Sequence, residues 1–233
     1  MSQKPGRNRL LAPASNNEQA KELLARSRDP GRVITLTDGV FAIIMTLLVL
    51  NIHVPQLTRG EDLAHGLLQV WPNLVVFVIS FVVTGLYWVG HRDMFTLIRG
   101  VDRGLVWLNI LYMLPIALVP FAASLLGEYS HDALALRLYG LLFVLISLMR
   151  LWLWYYIGTR PGLLLEQVDR RTLWTGAAAA IVPAVLYLVA MLLAGFVPYV
   201  SFGIYAVLPL LYFIGITLLR RSAPKGSPES DFT

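Results

Sequence analysis

The stretch RVITLTDGVFAIIMTLLVLNI, from Arg32 to Ile52, is the first strongly apolar part of the chain and decides its fold. It has the length that an α-helix needs to cross a bilayer. Arg32 and Asp38 lie at its head. Because a carboxylate inside a membrane-length segment is costly, it usually has a partner and a functional role. We therefore expect Arg32 and Asp38 to form a charged pair that holds this helix in place.

The composition is that of an integral membrane protein. Of the 233 residues, 57% are hydrophobic and 14% are charged, whereas a soluble domain carries about 25% charged residues. Six apolar stretches have roughly the length of a membrane helix. They are Arg32–Ile52, Leu67–Val89, Leu105–Leu126, Leu134–Ile157, Leu173–Phe196 and Val200–Leu219. The predicted fold class is an all-α integral membrane protein with six transmembrane helices.

The basic residues predict how the chain is oriented in the membrane. Of the 19 lysines and arginines, only Arg59 and Arg137 fall in the loops that would lie outside. The excess of positive charge on the other side predicts cytoplasmic termini and a place in the plasma membrane. The absence of cysteine excludes disulfide and thiolate chemistry. The sequence has no basic cluster interleaved with aromatic residues, which is the pattern that would indicate nucleic-acid binding.

Three segments are predicted along the chain. We expect residues 1–31 to form a cytoplasmic tail with a short amphipathic helix that ends near Arg28 and either lies on the inner membrane surface or serves only as a linker. Residues 32–219 form the six-helix membrane domain. Residues 220–233 are polar, with proline and glycine, and are predicted to form a disordered cytoplasmic tail.

One face of the first helix carries a narrow aliphatic stripe. Ile43, Leu47 and Leu50 lie within about 60° of one another at roughly 100° per residue. Thr46 flanks this stripe, and Asp38 lies about 140° away on the rear face. Such a stripe more often packs against helices or faces lipid than lines a pore. An Arg–Asp pair near the interface is likewise often only a structural clamp. Helical spacing alone leaves these alternatives open.

Few polar groups are available to bind Asp38, and all lie at the same predicted depth. These candidate partners are Arg32, Thr35, Thr37, Trp88, His91 and Arg92. The chain carries no metalloprotease, redox dithiol, serine hydrolase or phosphate-binding-loop motif, so we expect no enzyme activity. The potassium-filter sequence Thr-Val-Gly-Tyr-Gly is absent as well.

Two motifs resemble those of a known channel family. The sequence RVITLTDG at 32–39, followed by an Ile/Leu-rich helix, resembles the Arg-x-x-x-Phe-Ser-Asp signature of the endolysosomal potassium channels, the transmembrane protein 175 family. The sequence YWVGHR at 87–92 resembles that family's connection between its second and third helices. Leu36 and Thr37 depart from the signature but keep its apolar and hydroxyl character.

The resemblance implies a potassium channel of the prokaryotic type, with one six-helix repeat per chain and a homotetramer built around the first helix. Carried over position by position, it implies that Ile43 forms the constriction and that Leu47 and Leu50 form the next hydrophobic layers. Thr46 would stand beside the constriction. The implied structural network comprises Arg32, Leu36, Thr37, Asp38, Trp88 and His91.

We expect this channel to conduct cations with a modest preference for potassium over sodium. A ring of four Ile43 side chains is too apolar to replace a hydration shell, so it would gate by dewetting. No cofactor and no tightly bound metal is expected, only permeating potassium near Ile43 and Thr46. The expected partners are the other subunits and the lipid bilayer, without nucleic acid or a small-molecule substrate.

Two other classes of function compete with a channel. A secondary transporter of a small cation or other solute would place broken helices and a polar site at the midplane, between paired repeats. The midplanes of the six predicted spans carry few polar residues, which favours the channel. A membrane scaffold without transport is the other alternative.

Overall fold

The computed structural model describes residues 29–57 and 62–222, and within them the chain is helical. An isolated bridge between Ile98 and Leu164 is the one β pairing in these ranges. In chain order the helices are α1 (Gly31–Leu47), α2 (Leu63–Gln69), α3 (Trp71–Phe95), α4 (Arg103–Ala117), α5 (Val119–Glu128), α6 (Ala133–Thr159), α7 (Arg170–Leu193) and α8 (Pro198–Ser222). A 3₁₀ turn, Leu48–Asn51, extends α1.

Five helical segments within the described residues are long and apolar enough to span a membrane. They are Gly31–Asn51, Trp71–Phe95, Arg103–Glu128, Ala133–Thr159 and Arg170–Leu193. The predicted all-α membrane fold and five of its spans are thus confirmed. The sixth predicted stretch, Val200–Leu219, lies within helix α8.

The third span bends at Leu118. Pro115 lies in the last turn of α4, and Pro120 lies in the first turn of α5. Neither proline has a backbone N–H to donate, so the helical hydrogen-bond ladder is interrupted. Leu118 N instead donates to Pro115 O at 3.1 Å, one residue before α5 begins. The predicted single helix is therefore two helices joined by a bend.

The second span begins later and ends later than the sequence predicts. It starts at Trp71 rather than Leu67, because Pro72 lies in its first turn, where a proline starts a helix. Leu67 belongs to the separate helix α2. The span then continues past Val89 to Phe95. This extension places the whole 87–92 motif on one helix, where its side chains can face α1 and α4.

The last helix is also longer than predicted. α8 runs to Ser222, although the apolar stretch ends at Leu219. Polar residues do not by themselves end a helix, and the next proline in the sequence is Pro224. The first residues of the predicted C-terminal tail are therefore helical. The rest of that tail, together with the N-terminal tail up to Arg28, lies outside the described residues.

Helix α1 packs on one group of neighbours. It contacts α3, α4 and α5, while α6 packs most extensively on α7, and α7 packs on α8. Stacked and tilted aromatic rings fill the space between α3, α6, α7 and α8. These rings belong to Tyr87, Tyr139, Phe143, Tyr187 and Tyr205. The buried side of α1 belongs to the same hydrophobic core as these rings.

Aspartates fix the first residues of three helices. Asp102 Oδ1 accepts from Leu105 N at the start of α4, and Asp132 and Asp169 cap α6 and α7 in the same way. These caps satisfy backbone N–H groups that have no partner inside the helix. Thr172 donates to Asp169 through its hydroxyl and its backbone N–H, and these bonds hold the pKa of that exposed carboxyl below its usual value.

Candidate pore helix and its polar anchor

The aliphatic stripe of α1 lies on the surface of the subunit. Ile43, Leu47 and Leu50 are 60%, 41% and 67% exposed. On the opposite side of α1, Phe41 and Ile44 are buried in the core. A helix with a second apolar face requires a cover for that face as well. The stripe is therefore open to lipid or to another chain.

The stripe is longer than the sequence analysis indicated. Leu36 precedes Ile43 by two helical turns and is 51% exposed. Gly39 lies between them, with no atom within 4 Å of the position that a Cβ would take. The i−7 spacing carried this signal, but the motif assigned Leu36 to the structural network. In the subunit, Leu36 instead lies on the same face as Ile43.

Thr46 bonds within its own helix. Its Oγ1 donates to the carbonyl oxygen of Ile43 at 2.7 Å. This bond uses the hydroxyl proton and leaves acceptor capacity on the oxygen. Thr46 is exposed beside the stripe, so its oxygen can contact a cation, or accept a hydrogen bond from a neighbouring chain, without disturbing α1.

A buried chain of hydrogen bonds ties α1 to two other helices. Asn109 Nδ2 donates to Thr37 Oγ1 at 2.8 Å, and Thr37 Oγ1 donates to Val33 O at 2.9 Å. His91 Nε2 and Asn109 Oδ1 are 2.8 Å apart. Because the amide oxygen can only accept, His91 donates through Nε2. We call this chain, together with the Asp38–Trp88 bond described below, the polar anchor.

Asn109 is the central residue of the polar anchor, and the sequence analysis missed it. Its side chain is fully buried, as is that of Thr37, and His91 is nearly so. A visible signal existed, because Asn109 is the one amide in the apolar stretch Leu105–Leu126. A polar side chain inside a membrane helix normally faces other helices and bonds to them. Asn109 lies outside the two motifs, at 32–39 and 87–92, that contain the predicted partners of Asp38.

A second contact of the polar anchor lies beside the first. Trp88 Nε1 donates to Asp38 Oδ1 at 2.7 Å, and both residues are half-buried. The guanidinium of Arg92 lies 5.8 Å from the centre of the Trp88 ring. Helix α3 thus holds α1 through the Trp88–Asp38 bond, and reaches it through His91 and Asn109 as well. Asp38 faces its own subunit, on the side of α1 away from Ile43.

The expected ion pair between Arg32 and Asp38 does not form in the subunit. Arg32 is exposed, and the ion pair between described residues is Arg99–Glu166, far along the chain. The reason is helical geometry. Six residues at roughly 100° each leave Arg32 and Asp38 about 120° apart around α1. Arg32 therefore lies outside the polar anchor, and Asp38 bonds to Trp88 instead.

Aromatic rings enclose His91 within the polar anchor. Its ring stacks on Phe95 at 4.3 Å and on Tyr112 at 5.5 Å between centroids. Phe41 of α1 approaches the same ring at 6.5 Å. The imidazole is therefore held on both faces and bonded at Nε2. This packing fixes α3 and α1 relative to each other.

The other end of α1 is also tied down. Asn51, the last residue of the 3₁₀ turn, donates through Nδ2 to the carbonyl oxygen of Pro120 at 2.8 Å. This oxygen lies at the bend between α4 and α5. Asn51 is the next-to-last residue of the apolar stretch Arg32–Ile52, and the sequence analysis did not single it out. Helix α1 is thus fixed near both ends, while the stripe between them faces outward.

The polar groups of this site suit anchoring better than catalysis. Within residues 29–57 and 62–222, no three His, Cys, Asp or Glu side chains come together as a metal site would require. The buried polar side chains near α1 bond to one another across helices, in pairs or short chains. They fix a helix in position and leave no reactive group facing a cleft.

Similar sequences show the family to which the chain belongs. The profile described as endosomal/lysosomal potassium channel TMEM175 matches residues 32–120, which include α1 and most of the polar anchor's helices. A protein named as a potassium channel in Streptomyces collinus is 40% identical over 59% of this chain and 68% of its own length. Another, from Chamaesiphon minutus, is 33% identical over 79% of this chain and 93% of its own length.

A solved structure shares the fold. The crystal structure of a lysosomal potassium-selective channel TMEM175 homolog from Chamaesiphon minutus superposes with a TM-score of 0.72 at 32% identity. The match covers 83% of this chain and 98% of that one, so it includes the helical bundle as well as the α1 motif. This chain is a multi-pass membrane protein that belongs to the TMEM175 family, whose members are ion channels and not enzymes.

Proposed function

We propose that this chain is the subunit of a homotetrameric potassium channel in which four copies of α1 line a central pore. The observation that carries the proposal is the two-sided character of α1. One side is tied to α3 by a half-buried hydrogen bond and to α4 by a buried one, and the other exposes an apolar stripe from Leu36 to Leu50. The relatives named as potassium channels support the choice of ion.

The gate in this proposal is a ring of Ile43 side chains. Four copies of the exposed Ile43 would meet at the four-fold axis and exclude water from the narrowest part of the pore. Leu47 and Leu50 would form the next apolar layers. An apolar ring closes by dewetting and opens when a small increase in its diameter lets a hydrated ion through. Small changes in the position of α1 would therefore open or close the pore.

Ion selectivity in this pore does not use a carbonyl cage. The backbone carbonyls of α1 accept helical hydrogen bonds and do not face the axis. A passing ion must therefore keep most of its water. Because potassium holds its hydration shell less tightly than sodium, a narrow apolar ring favours potassium modestly. The oxygens of Thr46 can contact the permeating ion just beside Ile43, and no resident cofactor or tightly bound metal is required.

The polar anchor sets the diameter of this gate. Its hydrogen bonds fix how far α1 is rotated about its own axis, and rotation decides whether Ile43 or its neighbours point at the four-fold axis. The anchor lies on the side of α1 away from the pore, so it acts without contacting the ion. The distribution of basic residues supports an orientation with both termini in the cytoplasm and the channel in the plasma membrane.

Potassium flux from liposomes, together with the mass of the complex, tests the proposal. The purified chain should release potassium from loaded liposomes faster than it releases sodium, and the complex should have four times the 26.0 kDa mass of one chain. A variant away from the stripe serves as a control. Leu192→Asn, at an exposed residue of α7, should give the same flux and the same mass as the wild type.

Two outcomes would decide for the competing functions. A flux that saturates and requires a counter-transported solute would identify a secondary transporter. The absence of any flux from liposomes that contain the assembled protein would identify a scaffold. A monomeric mass would remove the central pore, because one copy of α1 cannot enclose an axis.

A further inference from the structure

A groove lies at one end of the bundle, between the loop that leads into α4 and the loop that follows α6. Residues 100–103 form one wall and residues 160–163 form the other, and Val106 and Trp107 of α4 complete the lining. The volume of the groove is about 810 Å³, within the range of about 300–1,000 Å³ that is usual for sites that bind small molecules. The groove is therefore large enough for the headgroup of a lipid.

Two arginines of the groove are exposed and have no carboxylate partner. Arg103 is the first residue of α4, and Arg160 follows the last residue of α6. Both line the groove, and both are exposed. Among residues 29–57 and 62–222 the ion pair that forms is Arg99–Glu166, so neither groove arginine is paired within these ranges. Their guanidinium N–H groups can therefore donate to an anion.

The carboxylate of Asp102 also lines the groove, but it is already bonded to the protein. Its Oδ1 accepts from the backbone N–H of Leu105 at 2.7 Å, and its Oδ2 accepts from the hydroxyl of Tyr156 at 2.9 Å. The ring of Tyr156 in turn lies 5.1 Å from the guanidinium of Arg160. Asp102 thus holds α4 and α6 together, and two arginines against one aspartate leave the lining with a net positive charge.

Two glycines allow the walls of the groove to come together. A Cβ added at Gly104 would overlap the hydroxyl of Tyr156, so glycine lets α6 approach α4 here. Gly162 has a φ of 84°, which favours glycine, and it turns the loop after α6. Beside this turn, Leu163 O accepts from Arg99 N at 2.7 Å. The two loops are therefore fixed to each other, and the groove is formed without a ligand.

An exposed apolar face runs from the groove along α4. Trp107 lines the groove and is 67% exposed, and Leu111 and Leu114 follow it at intervals of four and three residues. These intervals place the three side chains on one face of the helix, and all three are exposed. Tryptophan is common at the level of lipid headgroups. A positively charged groove that continues into an apolar face matches a molecule with an anionic head and a hydrocarbon chain.

We propose that this groove binds the headgroup of an anionic phospholipid, held by Arg103 and Arg160, with an acyl chain against Trp107 and the α4 face. Guanidinium groups bind phosphate oxygens through charged hydrogen bonds, and basic pockets between membrane helices suit acidic headgroups. A zwitterionic lipid should bind less well, because its ammonium group offsets the phosphate. Inorganic phosphate has no chain to contact α4. This binding does not depend on the proposed channel activity.

Thermal unfolding of the purified protein in detergent tests the proposal. Dioleoyl phosphatidylglycerol at about ten times its Kd should raise Tm by about 4 °C. Phosphatidylcholine with the same chains, and inorganic phosphate, should leave Tm unchanged. The double variant Arg103→Gln/Arg160→Gln should lose the rise. Arg170→Gln/Arg171→Gln removes two exposed arginines from the start of α7, outside the groove, and should preserve it.

Brominated acyl chains provide a second measurement, because bromine quenches the fluorescence of a tryptophan that it contacts. Brominated phosphatidylglycerol should quench the wild-type protein more than brominated phosphatidylcholine does. This difference should largely disappear in Trp107→Phe. It should persist in Trp174→Phe, which removes another exposed tryptophan that does not line the groove.

Three outcomes would overturn the proposal. Equal rises in Tm with phosphatidylglycerol and phosphatidylcholine would show that the groove does not recognise charge. Equal losses in the two double variants would assign the effect to the overall charge at this end of the bundle. A rise with inorganic phosphate as large as with phosphatidylglycerol would make the ligand a soluble anion. If Arg103→Gln/Arg160→Gln fails to fold, the quenching of Trp107 still decides.

Discussion

Asn109 donates to Thr37 across the contact between α4 and α1, Nδ2 to Oγ1 at 2.8 Å, and neither side chain reaches solvent. The same amide accepts from His91 of α3. One side chain therefore fixes α1 against two helices at once. Because Thr37 and Ile43 lie on different faces of α1, a change at Asn109 should act on the exposed stripe without contacting it.

Replacing Asn109 by leucine should destabilise the subunit. The substitution leaves the Nε2–H of His91 without an acceptor and removes the bond to Thr37, in a region without solvent. An unsatisfied buried donor costs about 1–3 kcal/mol, so we expect a loss of about 2 kcal/mol and a Tm lower by roughly 4–8 °C. Thermal unfolding in detergent measures the change.

Thr159→Val is the matched control for this experiment. Thr159 is exposed at the end of α6, and its hydroxyl bonds only to carbonyl groups of its own helix. Its loss should change the unfolding free energy by less than about 0.5 kcal/mol. Equal Tm values for Asn109→Leu and the wild type would show that the amide does not hold α1.

Asp38→Ala and Trp88→Phe should both reduce the yield of the tetramer. Each removes one partner of the 2.7 Å bond between α3 and α1, and each leaves the other partner half-buried and unsatisfied. Arg32→Gln should not reproduce this loss through Asp38, because Arg32 and Asp38 form no ion pair in the subunit. Size exclusion coupled to mass measurement compares the three variants. If Arg32→Gln alone disrupted assembly, the arginine would be the residue that holds α1.

The fold could be predicted from the sequence because membrane helices are defined by length and apolarity. Both properties are local, and α1, α6 and α7 coincide closely with the apolar stretches. Helix ends were less predictable, since a proline decides them by its position in the turn. Pro72 starts α3 four residues after the apolar stretch begins near Leu67, and Pro115 divides the third span.

The polar anchor was only half predictable. Asp38, Trp88 and His91 lie in motifs that a single sequence displays, and their common depth suggested contact. The Arg32–Asp38 pair was wrong because two charges close in sequence are not necessarily on one face of a helix. Asn109 was missed because its partners, Thr37 and His91, come from other helices. Their proximity depends on how α4 packs, and helical periodicity does not specify that.

Ile43→Asn should increase potassium current through the reconstituted channel. An amide at the constriction gives water polar partners, so the ring would stay hydrated and open more of the time. We expect a severalfold rise in potassium flux from loaded liposomes, with weaker discrimination against sodium. Leu192→Asn places the same side chain on an exposed face of α7 and should leave the flux unchanged. An unaltered current in Ile43→Asn would place the gate elsewhere.

Cysteine substitution distinguishes a pore-lining stripe from one that faces lipid. Leu47 and Leu48 are adjacent, but Leu47 is exposed on the stripe whereas Leu48 is buried in the core. The chain has no native cysteine, so each variant carries one thiol per subunit. Leu47→Cys should react with silver ions from the aqueous phase and block the current, and Leu48→Cys should not. Leu36→Cys should react as well, because Leu36 lies on the same face. If Leu47→Cys and Leu36→Cys were both protected from water, the stripe would face acyl chains, and α1 would not line the pore.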